Sequence, residues 1–245
     1  MDKPYLSLII PAYNEAGRIV STLNTVSAYL EGLGRACEII AVNDGSTDDT
    51  HSLMLRSADE DPSIRVVSYE PNRGKGYAVR QGVFASRGDY VGFTDADLSA
   101  PIDQLAKLFS VVEKGYDIAI GSRAVRGSEI PVHQPLYREL GGKSLNLLIR
   151  LLAVPGIHDT QCGFKLFRGD VARSIFEKCF VDGWAFDIEV LYLARRLGYK
   201  VVEVPVRWSH AESSSMRPFK AGVQALMSII RIRLHNYGDL RTAAV

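Results

Sequence analysis

The 245-residue sequence predicts an α/β domain, a mostly parallel sheet flanked by helices with an amphipathic helix near its C-terminal end. Two observations carry this expectation. Short runs rich in Val and Ile alternate with amphipathic stretches of helical spacing, and strands so separated pair in parallel with both faces covered. The unusual polar motifs fall, one after another, directly behind the predicted strands. In such sheets that is the rim where ligands bind.

Strands are predicted at residues 6–10, 39–42, 64–67, 90–93 and 118–120, and helices at 19–30, 49–58, 77–85 and 105–112. Ser46 or Thr47 is expected to cap the second helix, with Asp48 and Asp49 favoured at its positive start. Beyond Arg123 the regularity weakens. Residues 124–137 hold two prolines and no clear period, so a mobile loop is expected there. A helix over 138–154 carries Leu140, Leu147, Leu148, Leu151 and Leu152 on one side. Residues 159–167 read as a turn into a strand, 184–198 as a helix ended by Gly198, and 200–206 as another strand. Residues 218–235 place Phe219, Val223, Leu226, Ile230 and Leu234 on one face. From residue 217 onward five Lys/Arg stand against one acid, which divides the chain into a domain at 1–216 and a basic helix and tail at 217–245.

The composition is that of a globular protein, 47% hydrophobic and 23% charged, without a biased tract. A formal net charge of +1 supplies no global field for nucleic acid, so any basic site is local. Cys37, Cys162 and Cys179 are far apart, odd in number and without metal-binding spacing, which reads as reduced thiols. Met1-Asp-Lys-Pro leads into a short apolar strand rather than a signal peptide. No window reaches the roughly 18 apolar residues of a membrane span. A cytoplasmic protein is expected, one that can still lie against a membrane.

Five motifs stand at five predicted strand exits: PAYNE (11–15), NDGSTD (43–48), PNRGKG (71–76), TDAD (94–97) and GSR (121–123). Each alone is compatible with an ordinary polar loop; together they converge on one rim. Asp95 and Asp97, one residue apart, either mark an exposed turn or lean toward a hard cation. Mg²⁺ typically takes one or two carboxylates and leaves positions for substrate phosphates. Lys75, in a Gly-Lys-Gly run, adds one ammonium, and Arg123 a planar fork suited to phosphate. Neither a Gly-x-x-x-x-Gly-Lys-Ser/Thr loop nor a Gly-x-Gly-x-x-Gly turn follows the first strand, so a P-loop hydrolase and a dinucleotide-binding dehydrogenase fit poorly.

In this order the motifs resemble those of glycosyltransferase family 2, with its GT-A fold. Asn72–Gly76, Asp159–Phe167 and Phe186-Asp-Ile-Glu189 narrow the resemblance to the dolichyl- or polyprenyl-phosphate sugar synthases, nearest the branch using UDP-glucose. It extends from about Tyr5 to Arg217. The resemblance implies that Pro11, Tyr13 and Glu15 line a nucleotide pocket, that Asp44 hydrogen-bonds the base and that Asp95, Ala96 and Lys75 lie along the donor. It makes Asp97, with Asp95, the ligand of Mg²⁺ or Mn²⁺. Arg123 would meet the phosphates, and Arg138 would correspond to a second phosphate-binding arginine. Two positions depart from the family pattern: Asn43 replaces the first of two aspartates, and Arg217 stands where many relatives carry lysine.

The implied reaction is metal-dependent, inverting transfer of a hexose, most simply glucose, from a nucleotide sugar to a polyprenyl or dolichyl phosphate. Asp187, with Glu189 and Asp159, is read as orienting the acceptor or the sugar hydroxyls; the alternatives are a solvated helix start and a turn cap. Lys75 has the alternative of a surface lysine. His210 is read as structural rather than a metal ligand, and Cys162 as packing. The basic amphipathic tail fits a peripheral contact with a membrane surface, a core contact or a homo-oligomer. Two other functions stay open: transfer to a soluble or polysaccharide acceptor, and non-catalytic nucleotide-sugar binding.

Overall fold

The computed structural model describes residues 3–129, 149–150, 152–209 and 218–238. Seven strands form one sheet: β1 (Leu6–Ala12), β2 (Cys37–Asp44), β3 (Ile64–Tyr69), β4 (Tyr90–Phe93), β5 (Ile118–Ser122), β6 (Lys165–Arg168) and β7 (Val201–Pro205). Their spatial order is β3-β2-β1-β4-β6-β5-β7. All neighbours pair in parallel except β6, which is antiparallel to both β4 and β5. The expected mostly parallel sheet is therefore present, with one strand reversed near its middle. The reversal has a consequence for chemistry: β6 starts, rather than ends, at the rim where β4 and β5 end.

Seven α-helices lie wholly within the described residues: α1 (Ile19–Glu31), α2 (Thr50–Glu60), α3 (Lys75–Ala85), α4 (Leu105–Val112), α5 (Gly169–Phe176), α6 (Phe186–Arg196) and α7 (Pro218–Leu234). Strand residues alternate between two apolar layers. Leu8 and Ile10 of β1 join Leu23 and Val26 of α1 and Leu105 and Leu108 of α4 on one face. Ile9 points the other way, into a cluster with Val79 and Val83 of α3, Ile175 of α5 and Ile188 and Leu191 of α6. Gly198, at φ +79°, follows α6 as expected of a left-handed glycine stop.

Three points correct or complete the sequence reading. Neither Ser46 nor Thr47 caps α2; the Asp48 carboxylate accepts the Thr50 N–H at 3.0 Å instead. Helix α5 is an addition to the predicted elements, because its eight residues follow β6 with no intervening turn signal. On α7 the buried residues are Ile229 and Ile232, whereas Leu226, Met227, Ile230 and Leu234 are exposed. The described members of the predicted stripe, Leu226, Ile230 and Leu234, thus share one exposed face, and the core takes two isoleucines outside it. Of the predicted helix over 138–154, residues 149–150 and 152 are helical, with Ile149 buried and Leu152 exposed; Leu140, Leu147, Leu148 and Leu151 lie outside the described residues, as do most of the 124–137 loop and the side chains of Phe219 and Val223.

The start of α3 is wedged against the loop before α6. A Cβ on Gly76 would stand 2.5 Å from both the Phe186 Cβ and the Val181 carbonyl oxygen. Alanine at 76 gains helix propensity of about 1 kcal/mol, yet must push apart two elements whose nearest atoms cannot swing away. A Gly76→Ala variant should lose about 1–3 kcal/mol of unfolding free energy, read by urea denaturation.

Candidate active site

The first two strand exits are sewn together by side chain–backbone hydrogen bonds. Asn14, at φ +55°, turns the chain after β1. Its Oδ1 accepts the Thr47 N–H at 2.8 Å, and its own N–H donates to Ser46 Oγ at 3.0 Å. The Glu15 N–H donates to Thr50 Oγ1 at 2.7 Å, and the Ala16 N–H to the Asp48 carboxylate at 3.2 Å. Two polar loops thereby become one rigid wall.

Asp44 fixes the third exit. Its Oδ1 accepts from the Tyr69 hydroxyl at 2.9 Å and the Arg73 N–H at 2.8 Å. Its Oδ2 accepts from Asn72 Nδ2 and the Gly74 N–H, both at 2.9 Å. A carboxylate offers about four acceptor sites, and all are filled. Asp44 thereby organises the 72–74 loop that delivers Lys75.

Pro11, Tyr13, Glu15 and Asp44 line one side of a cavity of about 300 Å³, and Lys75, Asp95, Ala96 and Asp97 line the other. All eight were expected there from sequence; Asn72 and Gly74 join them. Lys75 ion-pairs with Asp95, which removes the surface-lysine reading. The Asp95 carboxylate packs on Gly163, where a Cβ would stand 2.2 Å from Oδ2. The Ala96 carbonyl accepts from Thr22 Oγ1 at 2.6 Å. Asp97 Oδ1 accepts the Ser99 N–H at 2.9 Å across Leu98, whose φ is +45°. Partial burial, opposed by Arg18 and reinforced by Asp97, Asp48 and Asp95, raises the Glu15 carboxyl above its usual range. Burial is the larger cause, and the neighbouring carboxylates add to it.

This donor set suits a hard divalent cation. Among the described residues no group of three or more His, Cys, Asp or Glu forms an all-protein cage. An ion held by Asp95 and Asp97 would take its remaining oxygen ligands from water or a diphosphate, the usual habit of Mg²⁺.

Arg123 and Asp187 are not on the cavity wall. Arg123 donates to Asp159 through Nε at 2.7 Å, Nη2 at 2.9 Å and its own N–H at 2.9 Å. Its guanidinium also lies 5.1 Å from the Trp208 ring centre. Asp159 is buried, and its N–H donates to Glu203 Oε1 at 2.9 Å, the oxygen that also accepts from Ser122 Oγ at 2.7 Å. Asp159 is neither a mere turn cap nor free to orient a sugar; it holds an arginine. Asp187 is buried at the start of α6 and ion-pairs with Lys165. Burial lifts its carboxyl above the usual range against the pull of Lys165 and Lys75. The solvated-helix-start reading fails, and so does direct contact with the acceptor through this cavity.

Glu189 is likewise buried, accepting the Val181 N–H at 2.8 Å, the Phe180 N–H at 3.1 Å and the Tyr237 hydroxyl at 2.8 Å. It is a staple for the 180–181 loop. Cys162 is packed as expected, with its thiol pushed up to about 12 by burial. Arg138, His210 and Arg217 lie outside the described residues. Sequence reasoning missed Lys165 and Glu203; the one available signal was a lysine inside an otherwise apolar strand, Phe164-Lys-Leu-Phe167.

The chain matches the glycosyl transferase family 2 signature over residues 7–176. It is 36% identical over 245 residues to the dolichyl-phosphate beta-glucosyltransferase of Dictyostelium discoideum, covering 95% of this chain and 75% of that one. Identity to the Homo sapiens enzyme of the same name is 35% over 246 residues, covering 94% and 75%. Against the Saccharomyces cerevisiae one it is 34% over 248 residues, covering 94% and 74%. Among solved structures, glucosyl-3-phosphoglycerate synthase from Mycobacterium tuberculosis, in complex with Mn²⁺ and UDP-glucose, matches with a TM-score of 0.70 at 21% identity. That match spans 94% of this chain and 79% of the other, and the shared fold is GT-A.

Arg123 holds the Asp159 carboxyl below its usual range despite burial. A pKa depressed by folding contributes stability that is complete above the unfolded value, about 4, and is lost as pH falls through the folded value. Asp159→Asn should cost about 1–3 kcal/mol at pH 7, discounted because Arg123 is partly exposed. The gap to wild type should shrink below about pH 4, read by denaturation at a series of pH values.

Proposed function

The chain belongs to glycosyltransferase family 2, in the branch of the dolichyl-phosphate beta-glucosyltransferases, and from that premise we propose that it moves glucose from UDP-glucose to a polyprenyl-type phosphate, inverting the anomeric centre. One observation carries the reading. Four strand exits converge on a single cavity in which Asp95 and Asp97 stand beside Lys75, acids and a base together, as a metal-bound diphosphate requires.

In this proposal the nucleotide lies against Pro11, Tyr13 and Glu15. Asp95 and Asp97 would hold a Mg²⁺ or Mn²⁺ ion, whose chemistry is Lewis-acid stabilisation of the charge growing on the departing diphosphate. Lys75 orients Asp95 and adds a cation near the phosphates. Arg123 is off the cavity wall but partly exposed and aimed by Asp159, and the guanidinium donors not spent on that carboxylate are assigned to the leaving group as it departs. The acceptor needs no strong base. A phosphate monoester with a second pKa near 6 is mostly dianionic at neutral pH, so its attack depends on placement more than on proton removal.

The lipid side is supported by α7. Leu226, Met227, Ile230 and Leu234 are exposed, the last at 80%, with Arg231 and Arg233 in the final turns. Among the described residues no helix is long and apolar enough to cross a membrane. An apolar row with adjacent arginines fits the headgroup region of an anionic surface, where each basic residue adds on the order of 1 kcal/mol.

Pure protein incubated with Mn²⁺ or Mg²⁺, a short polyprenyl phosphate and radiolabelled UDP- and GDP-sugars should pass label from UDP-glucose into organic extract, and Asp97→Ala should abolish it. UDP-glucose binding without extractable label would defeat the lipid acceptor. Ile230→Glu with Leu234→Glu should reduce co-flotation with anionic vesicles severalfold and leave UDP binding unchanged; undiminished flotation would remove α7 from the membrane contact.

A further inference from the structure

Lys165 is the only buried Lys or Arg among the described residues, at 1% exposure. Sequence position gives no reason for it, because its neighbours Phe164, Leu166 and Phe167 are all core residues. Topology does. Since β6 runs antiparallel, Lys165 pairs in register with Phe93 at the end of β4 and with Ile120 near the end of β5. Its ammonium lies 5.4 Å from the Phe93 ring centre, donates to the Cys162 carbonyl at 2.6 Å and ion-pairs with Asp187. Phe93 is two residues before Asp95.

Removing two charges from water costs more than an isolated buried pair usually returns, and apolar replacements are often no less stable. Stability alone is therefore a poor reason for a charged pair here. A second pair lies beside it: Lys75 is bound to Asp95, and its neighbour Gly76 packs against Phe186, the residue before Asp187. The charges thus alternate from the interior to the cavity, Lys165, Asp187, Lys75, Asp95. The turn between Cys162 and Lys165 also carries Gly163, the contact surface of the Asp95 carboxylate.

We propose that Lys165 is a positioning residue for the transfer reaction: through Asp187 it holds Lys75, which in turn holds Asp95 against the 162–165 turn, so that the cavity's first aspartate meets the diphosphate in a fixed orientation. This rests on the reading of the cavity as a cation–diphosphate site. It concerns where charges are held, and no group need change protonation. Residues that orient ligands of a site typically alter affinity or activity ten- to a hundredfold when removed.

The test compares wild type, the charge-free pair Lys165→Met/Asp187→Leu, Lys75→Met and the triple variant. The readouts are melting temperature, Mn²⁺-dependent UDP affinity by calorimetry, and kcat and KM for glucose transfer. The charge-free pair should melt close to wild type yet lose roughly tenfold or more in UDP–Mn²⁺ affinity and in kcat, and the triple variant should be no weaker than Lys75→Met. A charge-free pair with wild-type affinity and kcat overturns the inference, as do losses that multiply in the triple variant. Should the charge-free pair not fold, Asp187→Asn alone and with Lys75→Met gives the same decision: coincident losses support the inference, multiplied losses overturn it. Wild type that binds UDP with Mn²⁺ but labels no polyprenyl phosphate defeats the proposed acceptor instead, and the affinity data still decide the role of Lys165.

Discussion

Four carboxylates gathered at one rim of a sheet repel one another, and much of the structure is arranged to keep Glu15, Asp48, Asp95 and Asp97 there. Two are offset by cations: Glu15 by Arg18 at 2.7 Å, and Asp95 by Lys75. The other two accept backbone N–H groups, Asp48 from Ala16 and Thr50, Asp97 from Ser99. Burial raises the Glu15 carboxyl, and the three neighbouring carboxylates push it the same way. A site left with surplus negative charge favours a cation, and holding its dipoles in advance spares reorganisation when charge develops.

That arrangement depends on strand order. The parallel strands bring only their carboxyl ends to the rim, so every loop arriving there comes from a strand exit. Inserting β6 in reverse between β4 and β5 adds a strand beginning at the same place. It supplies what the exits lack, namely a residue without a side chain behind Asp95 and a buried cation beneath it. The same geometry places the 157–159 turn next to β7, where Glu203 takes the N–H groups of His158 and Asp159 at 2.7 and 2.9 Å and so aims Arg123.

Most of the sheet and eight cavity residues were legible in the sequence, for a physical reason. Val- and Ile-rich runs of four to eight residues between amphipathic stretches have few other ways to bury themselves, and polar motifs at the strand exits then share a rim. The roles of Asp44, Arg123 and Asp187 were not legible, because each depends on a partner far along the chain. Asp44 meets residues 69–74 only once β2 and β3 pair. Arg123 meets Asp159 across the 124–158 segment, and Asp187 meets Lys165 only when α6 packs beneath β6. Charge in a motif announces a site without saying whether it faces the ligand or another side chain. On α7 the predicted row was right, and what stayed open was which side the core would take. Ile229 and Ile232, three apart, face the core while the i, i+4, i+8 row of Leu226, Ile230 and Leu234 faces out; a helix apolar on both sides offers no sequence criterion for which side the core takes.

Two aspartates one residue apart on an extended strand would point to the same face only if the strand stayed regular, and would then crowd their charges along one edge; here the pair leaves the strand altogether. The chain does so immediately after β4. Thr94 still donates its N–H to the Ile9 carbonyl at 3.0 Å, as a strand residue would. The Leu98 N–H then donates to the Asp95 carbonyl at 3.1 Å, closing a turn, and Leu98 takes a positive φ that a branched side chain seldom adopts. Asp97 completes the turn through Ser99, and Ala96 is tied from outside by Thr22. Both aspartates consequently line one cavity, held apart by the turn rather than stacked along a strand. The cost of one left-handed leucine, on the order of 1–3 kcal/mol, is borne by the surrounding hydrogen bonds. Hydrogen bonds within the protein thus keep the two carboxylates on one cavity, the condition under which a hard cation and a phosphate group would bind without first bending the protein.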